Sequence, residues 1–318
     1  MITIKRKPQS GSPIDKSVGS NVDLPLGFTL MFGAFFCFAS MDTSAKWLVM
    51  AGIPSLQVAF VRYLVHFLWA VVLYLPVEGM HIVKSKRPGQ QVLRALFLFG
   101  GTVLNFTGMK YLPLTITIAI FFATPLVVCL LSIPVLGEKV GLKRLSAVLM
   151  GFIGVLIIVE PWGHSFDFHV FFVIGAMLSA SSYFVMTRKL AGIDNNSVSQ
   201  IYSAGLATVV LLPVAINIWV WPDSTLNWFL LLFIGSFGML GHSLLTRAHI
   251  YAEASVLAPT VYSQIIYITF FSWVIFDSPP DQNTVLGTCV IVASGFYIWY
   301  RERRIKRADS AILLRSGR

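Results

Sequence analysis

The sequence predicts an all-helical membrane protein with ten transmembrane helices, arranged as two inverted repeats of five helices. The composition is 56% hydrophobic and only 12% charged, whereas a soluble domain carries about a quarter charged residues. The apolar residues form runs of the length that a spanning helix needs, about 20 residues. A pattern of glycines and turns in the first half of the chain also returns in the second half.

Ten apolar runs are candidate membrane spans. The connections between them are short and often contain proline or glycine, as in Gly52-Ile53-Pro54 and Trp221-Pro222-Asp223, which favours turns at these places. The runs cover residues 25–50, 54–76, 92–111, 113–136, 142–160, 166–190, 197–221, 227–250, 254–276 and 282–300.

The two halves share local patterns at corresponding positions. Residues 33–40 (GAFFCFAS) resemble residues 175–182 (GAMLSASS), and residues 50–53 (MAGI) resemble residues 190–193 (LAGI). Because five spans is an odd number, the second copy must enter the membrane from the opposite side. Inverted repeats are frequent in secondary transporters, which hold their substrate near the midplane between the repeats.

The basic residues fall on one side of the predicted membrane. Of the 24 Lys and Arg residues, all but Lys46, Arg62 and Lys110 lie in the tails or in loops that follow even-numbered spans, and Arg94 is counted with the loop after the second span. Cytoplasmic loops carry an excess of Lys and Arg. We therefore expect a multi-pass protein of the bacterial inner membrane with both termini in the cytoplasm.

The chain divides into a cytoplasmic tail (1–23), a first repeat (24–160), a second repeat (161–302) and a basic cytoplasmic tail (303–318). The net charge of +10 resides in tails and short loops, so membrane lipid rather than nucleic acid is the expected partner. The sequence contains no P-loop, dinucleotide fingerprint or zinc-ligand spacing. We therefore expect no enzymatic activity, no cofactor and no metal.

The sequence resembles the EamA-type transporters of the drug/metabolite transporter superfamily over about residues 26–302. The resemblance rests on Ala123-Thr124-Pro125-Leu126, which leads to Leu136-Gly137-Glu138 and then to Gly151 and Gly154. In the second copy, Phe276-Asp277-Ser278 stands where the L-G-E turn is usual, and Asp277 keeps an acid at that turn. The resemblance implies ten helices, cytoplasmic termini, transport of small organic metabolites, and a central cavity lined by helices one, three, four, six, eight and nine.

These observations together predict a secondary transporter that works by alternating access and is driven by the proton gradient or by exchange. Its substrate would be a small molecule, and protons and a second copy of the chain are further candidate partners. The resemblance alone suggests amino-acid-like metabolites, riboflavin or S-adenosylmethionine as substrates. A non-transporting sensor or assembly protein, and a channel, are the alternatives.

Two charged residues of the first span are candidates for substrate binding or coupling. Asp42 is the only acid well inside a predicted span, and Lys46 lies on the same helical face at i+4. Ionisable groups inside the membrane are costly and usually functional. The two residues form either an internal ion pair or a site for a proton or a substrate charge, and our hypothesis is that Asp42 is the coupling residue.

Arg62, His66 and Trp69 follow one face of the second span at i, i+4 and i+7. A cation, a titratable ring and an aromatic plate suit an anionic or aromatic metabolite. In the alternative interpretation Arg62 pairs with Asp42 or extends outward to the membrane surface, and a neighbour satisfies His66.

Further polar residues lie at membrane depth in helices that the resemblance assigns to the cavity. They either hydrogen-bond the substrate or join neighbouring helices, which is common in membrane proteins. They are Asn105, His242, Tyr262 and Gln264, with Tyr183 and Tyr202 as weaker candidates.

Three residues are predicted to have structural roles. Pro125 and Pro259 are expected to kink their helices. Glu138 lies at a cytoplasmic turn beside Lys139, where we expect it to cap the turn or to form a salt bridge.

Overall fold

A computed structural model of the chain describes residues 23–109, 111, 120–138, 141–159 and 168–277, with isolated positions between 282 and 300. Within these residues every regular element is helical. Residues 1–22, Lys110, the second predicted tail and nine of the 19 residues of the tenth predicted span lie outside the described residues.

The helices follow the predicted spans closely. Six described segments are long and apolar enough to cross a membrane, and Thr124–Leu136 is a shorter apolar helix. The number ten therefore stays a prediction. The helices are α1 (Leu24–Met50), α2 (Ser55–Glu78), α3 (Pro88–Met109), α4 (Thr124–Leu136), α5 (Leu142–Val159), α6 (Val170–Leu190), α7 (Asn196–Asn217), α8 (Thr225–Tyr251), α9 (Ala254–Leu257) and α10 (Ser263–Phe276), with 3₁₀ turns at Gly79–Val83 and Ala258–Tyr262.

The first helices of the two halves end in the same way. After α1 the backbone turns at Gly52, with φ +89°, and after α6 it turns at Gly192, with φ +74°. A left-handed residue just past a helix end is favourable for glycine, which has no Cβ to clash. The two similar segments MAGI and LAGI thus form the same kind of helix end.

The turns that end α4 and α10 also correspond. Gly137 adopts φ 69° after α4, and Asp277 adopts φ 49° after α10. Asp tolerates the left-handed region better than most residues because its short polar side chain can hydrogen-bond locally. Asp277 therefore takes the backbone place of Gly137, the middle residue of the L-G-E turn.

The most extensive helix contacts join the two halves. Helix α1 packs along α8, α3 packs along α6, and α2 packs against α7 and α8. The main buried core runs across this boundary and includes Phe28, Phe35, Leu245 and Leu257. The space between the halves is where the charged side chains meet.

Candidate functional site

A cavity of about 240 Å³ lies between the two halves. Its wall includes residues of α1, α2, α3, α6, α8 and α10, and its α1 residues run from Phe35 to Lys46. Apolar side chains dominate the wall, as is usual for a small-molecule site. Eight of them are phenylalanines, namely Phe35, Phe38, Phe97, Phe106, Phe121, Phe122, Phe184 and Phe276.

Asp42 and Lys46 both lie on this wall, but they do not pair with each other. The Nε2 of Gln264 donates to Oδ2 of Asp42 at 2.8 Å. The Lys46 ammonium lies 4.6 Å from the ring centroid of Phe276, a cation–π arrangement. An acid from α1 and an amide from α10 are thus joined across the boundary between the halves.

Arg62 and His242 form a second polar pair on the wall. The Arg62 Nη2 is 3.1 Å from Nε2 of His242, and its Nη1 donates to Thr102 at 3.4 Å. The guanidinium also lies 4.7 Å from the Tyr63 ring centroid. The buried Nε of Arg62 has no hydrogen-bond partner. A guanidinium at a cavity wall whose described hydrogen bonds go to neutral groups can bind a carboxylate or phosphate.

His66 lies behind this pair. Its ring is fully buried and stacks on His242 with a centroid separation of 5.8 Å. The Nε2 of His66 is 2.9 Å from Oε1 of Gln200 on α7. His66 is therefore connected to the site through His242 but does not line the cavity.

Arg94 is the residue that the sequence assigned wrongly. It lies in the first turns of α3 and is 1% exposed, whereas the positive-inside count placed it with the cytoplasmic loop. Its hydrogen bonds go to neutral groups of α6, α7 and α8. They are Thr187 (2.8 Å), the Ser199 carbonyl (3.1 Å), Ser203 (2.8 Å), the Tyr183 hydroxyl (2.9 Å) and Thr246 (3.1 Å).

Tyr183 connects Arg94 to the cavity, because its hydroxyl is 2.9 Å from Nδ1 of His242. The available signal was the position of Arg94 three residues into the predicted third span, just after Gln90 and Gln91. A rule that counts Lys and Arg near span ends cannot separate such a residue from a true loop residue.

The chain of hydrogen bonds that links His242, Tyr183 and Arg94 continues to the protein surface through Gln91. The Nε2 of Gln91 donates to Ser199 at 3.2 Å and to Asp194 at 3.0 Å. Asp194 lies in the loop between α6 and α7, where Ser85 and the backbone N–H of Lys86 also donate to it. Burial opposes its negative charge, but these hydrogen bonds outweigh that effect and lower the pKa of Asp194.

The other predicted residues are divided between the cavity and its surroundings. Asn105 lines the cavity, and its Oδ1 has no hydrogen-bond partner. Tyr262 is 1% exposed and packs against Phe122 beside the cavity. Trp69 is 39% exposed on the outside of the bundle, where its Nε1 donates to Ser236 at 2.8 Å. Tyr202 donates to the Val83 carbonyl.

Glu138 joins the two halves at the end of the bundle away from the cavity. Its carboxylate accepts from the backbone N–H groups of Ala254 (2.9 Å) and Ser255 (3.1 Å), and from the Ser255 hydroxyl (2.5 Å). Pro125 lies in the first turn of α4, and Pro259 lies in the 3₁₀ turn that interrupts the ninth span. We call the contact between Glu138 and residues 254–255 the Glu138 clasp.

Metal binding has no support in the part of the chain that the structure describes, because no group of three His, Cys, Asp or Glu side chains is placed to share an ion. The charged or titratable groups on the wall include a carboxylate, an ammonium, a guanidinium and an imidazole, and amides and hydroxyls accompany them. They can bind a charged organic molecule by hydrogen bonds and ion pairing.

Known proteins with similar sequences are transporters. The chain is 30% identical to the riboflavin transporter of Vibrio cholerae serotype O1, over 90% of this chain and 97% of that protein. It is 29% identical to the S-adenosylmethionine uptake transporter of Rickettsia prowazekii, over 83% and 88% of the two chains. It is 28% identical to the pseudopaline exporter CntI of Pseudomonas aeruginosa, over 85% and 95%.

A crystal structure with the same fold has a TM-score of 0.76 and 15% identity over 89% of this chain and 99% of that chain. The family model described as the EamA-like transporter family matches residues 25–160 and again residues 167–300. The two matches cover both halves of the membrane region, in agreement with a repeated architecture. The chain belongs to the EamA-like transporter family.

Proposed function

We propose that this protein is a secondary transporter that moves a small organic metabolite across the bacterial inner membrane, with the cavity between its halves as the substrate site. The observation that carries this proposal is the meeting of Asp42, Arg62, His242 and Gln264 on the wall of one largely apolar cavity. Groups from both halves line it, so movement of one half against the other would change its access. This is the arrangement that alternating access requires.

The proposed substrate combines an aromatic or apolar body with polar or charged groups. The eight phenylalanines suit the body, and the acid and the guanidinium suit opposite charges at its ends. The names of the relatives agree with small organic molecules of mixed character, namely riboflavin, S-adenosylmethionine and pseudopaline. Amino-acid-like metabolites and the first two of these compounds are the substrate candidates.

The proposed topology has ten helices in two inverted repeats, with both termini in the cytoplasm. Corresponding helices exchange roles in the packing, since α1 pairs with α8 as α6 pairs with α3. Such an exchange is expected of two units related by a pseudo-two-fold axis. The distribution of Lys and Arg supports cytoplasmic termini.

Asp42 is the proposed coupling residue. It is the acid of the cavity wall, and the Gln264 amide from the other half holds it in place. Loss or gain of its charge would alter this contact between the halves. A proton gradient or substrate exchange would then drive net movement.

The test is an untargeted comparison of metabolites in cells and medium, using cells that express the wild type, Asp42→Asn or no transporter. We expect one metabolite to shift between cell and medium with the wild type and to shift about tenfold less with Asp42→Asn, as for loss of a site interaction of about 1.4 kcal/mol. Asp223→Asn is the matched control, because Asp223 accepts from Asn227 at the start of α8, outside the cavity.

Equal shifts with wild type and Asp42→Asn at equal membrane levels would remove Asp42 from the coupling mechanism. If no metabolite moves in cells, and sealed vesicles that contain the purified protein show no saturable flux, the transport proposal itself fails.

A further inference from the structure

The hydrogen bonds around His242 determine which ring nitrogen carries its proton. A guanidinium only donates, so Nε2 of His242, at 3.1 Å from the Arg62 Nη2, is the unprotonated acceptor. The proton of the neutral ring is therefore on Nδ1, which faces the Tyr183 hydroxyl at 2.9 Å. That hydroxyl oxygen also accepts from Arg94 Nη2. A proton on Nε2 and the bond from Arg62 consequently exclude each other.

Cationic groups outnumber anionic groups around the His242 ring, and each cation repels a proton that is added to the ring. Helix α2 brings Arg62 and His66 to the ring, and α3 brings Arg94 through Tyr183 of α6. Helix α1 contributes the Phe38 ring beside His242 and Asp42 on the shared wall, whereas α7 and α10 contribute the uncharged Gln200 and Gln264. Lys46 of α1 lines the same wall, so two guanidinium groups and one ammonium are set against one carboxylate.

An anion would change this balance. The described hydrogen bonds of Arg62 and Arg94 all go to neutral partners, and the Nε of Arg62 has none. A bound negative charge on Arg62 would offset the guanidinium, and the repulsion that keeps the second proton off His242 would weaken. We take the anion to be a carboxylate rather than a phosphate, because its single charge matches the single guanidinium on this wall.

We propose that the site takes a carboxylate group of the substrate together with one proton. The carboxylate ion-pairs with Arg62, and a proton from solution binds Nε2 of His242. The Arg62–His242 hydrogen bond then breaks, and the new Nε2–H donates to the carboxylate. No covalent bond of the substrate changes, and the complex holds one more proton than the separate partners. This inference deepens the proposed function, since it concerns the charge class of the substrate at the same cavity.

The experiment is calorimetric titration of the purified full-length protein with benzoate, in two buffers that differ in their enthalpy of ionisation. We expect uptake of about one proton per bound benzoate, and up to a tenfold fall in the dissociation constant for each unit from about pH 8 to about pH 6. Affinity rises toward low pH because the complex binds the extra proton. Benzamide, the neutral analogue, should bind without proton uptake.

Two matched variants locate the proton. His242→Gln keeps an acceptor for Arg62 but cannot titrate, so its binding of benzoate should lose both proton uptake and the slope with pH. His249→Gln changes a buried histidine on the same helix that bonds the Leu245 carbonyl outside the cavity. This variant should retain the proton uptake of the wild type.

Three results would overturn the proposal. In the first, benzoate binds the wild type without proton uptake or fails to bind it at any pH. This measurement needs only the wild type, so it decides the question even if a variant does not fold. Uptake could persist in His242→Gln. Uptake could instead vanish in Asp42→Asn, which would put the proton on Asp42. The proposed transport function is tested separately, by the movement of a metabolite between cells and medium, so these outcomes leave that test unchanged.

Discussion

At the scale of single residues, the two buried arginines differ in how fully they are satisfied. All three nitrogens of Arg94 donate to protein groups, whereas the buried Nε of Arg62, a residue of the cavity wall, has no hydrogen-bond partner. A buried charge is costly unless it is fully hydrogen-bonded. Arg94 is therefore a structural connection between the halves, and Arg62 is available to a ligand.

Replacing Arg94 should destabilise the protein. Arg94→Gln leaves hydroxyl groups of α6, α7 and α8 without their donor, and buried groups that lose their partners cost roughly 2–4 kcal/mol in total. Thermal unfolding of the purified protein in detergent measures the loss. Arg247→Gln, the same change at an exposed position of α8, should alter stability by less than about 0.5 kcal/mol. Equal unfolding temperatures for the two variants would contradict a structural role for Arg94.

Much of the cavity wall follows from residue chemistry alone. A charged or strongly polar group inside an apolar span must face the bundle interior, and Asp42, Lys46, Arg62, Asn105 and Gln264 line the cavity as their chemistry suggests. Trp69 shares a helical face with Arg62, but it lies two turns further along, about 10 Å, where that face has left the cavity. Spacing predicts a face of the helix and does not predict how far the site extends along it.

At the scale of helices, the α2–α8 contact depends on a missing side chain. A Cβ on Gly235 would meet the Val65 side chain and would lie 3.0 Å from the Arg62 carbonyl oxygen. Backbone atoms cannot move aside as a flexible side chain can, so this crossing requires glycine. Small residues allow the same close approach in many membrane helix pairs.

Gly235→Ala should push α2 away from α8 and move Arg62 out of its position. We expect a loss of roughly 1–3 kcal/mol, as for overpacking in a core, together with weaker substrate binding. Gly89→Ala is the matched control, since a Cβ there meets nothing within 4 Å and alanine favours the helix by up to about 1 kcal/mol. Unfolding temperatures of the purified variants test this order, and a Gly235→Ala protein as stable as Gly89→Ala would refute the close contact.

Helix positions were predictable to within a few residues because apolar runs and helices coincide in a membrane. The larger differences have local causes. The seventh span was predicted to reach residue 221, but α7 ends at Asn217, and the following tryptophans lie outside the helix. The ninth span is not one helix, because Pro259 has no N–H to donate and lies in a 3₁₀ turn between α9 and α10.

At the scale of the whole molecule, the two ends of the bundle are built differently. The cavity includes the α1 residues up to Lys46 and, in α10, Phe276. The other end is held by the Glu138 clasp and by the hydrogen bond from Arg188 to the His249 carbonyl. Near the clasp, Val128, Val185, Ala254 and Ala258 form a buried cluster. Access from that end requires these contacts to open.

Glu138→Ala should open that end more often. Cys129 is buried there, so its alkylation by N-ethylmaleimide reports opening in a protein whose other cysteines, Cys37 and Cys289, are replaced by serine. Loss of hydrogen bonds worth about 1.4 kcal/mol would raise the alkylation rate about tenfold.

Asp223→Ala, at the other end of α8, should leave the Cys129 rate unchanged. An equal rate in Glu138→Ala and in its parent would show that the clasp does not hold this end closed.

The hydrogen bonds of Arg94 to α6, α7 and α8 also bear on the conformations of the substrate-free protein. Helix α8 is the counterpart of α3, yet α8 contains no Lys or Arg before Arg247, and it packs on α1 through Gly241 against Phe38. Two conformations that exchange the roles of the halves must have equal free energy if the halves are identical, and the difference between α3 and α8 removes that requirement. If the protein alternates between two such conformations, the substrate-free protein is expected to populate them unequally. Its cavity would then face one side of the membrane more often than the other.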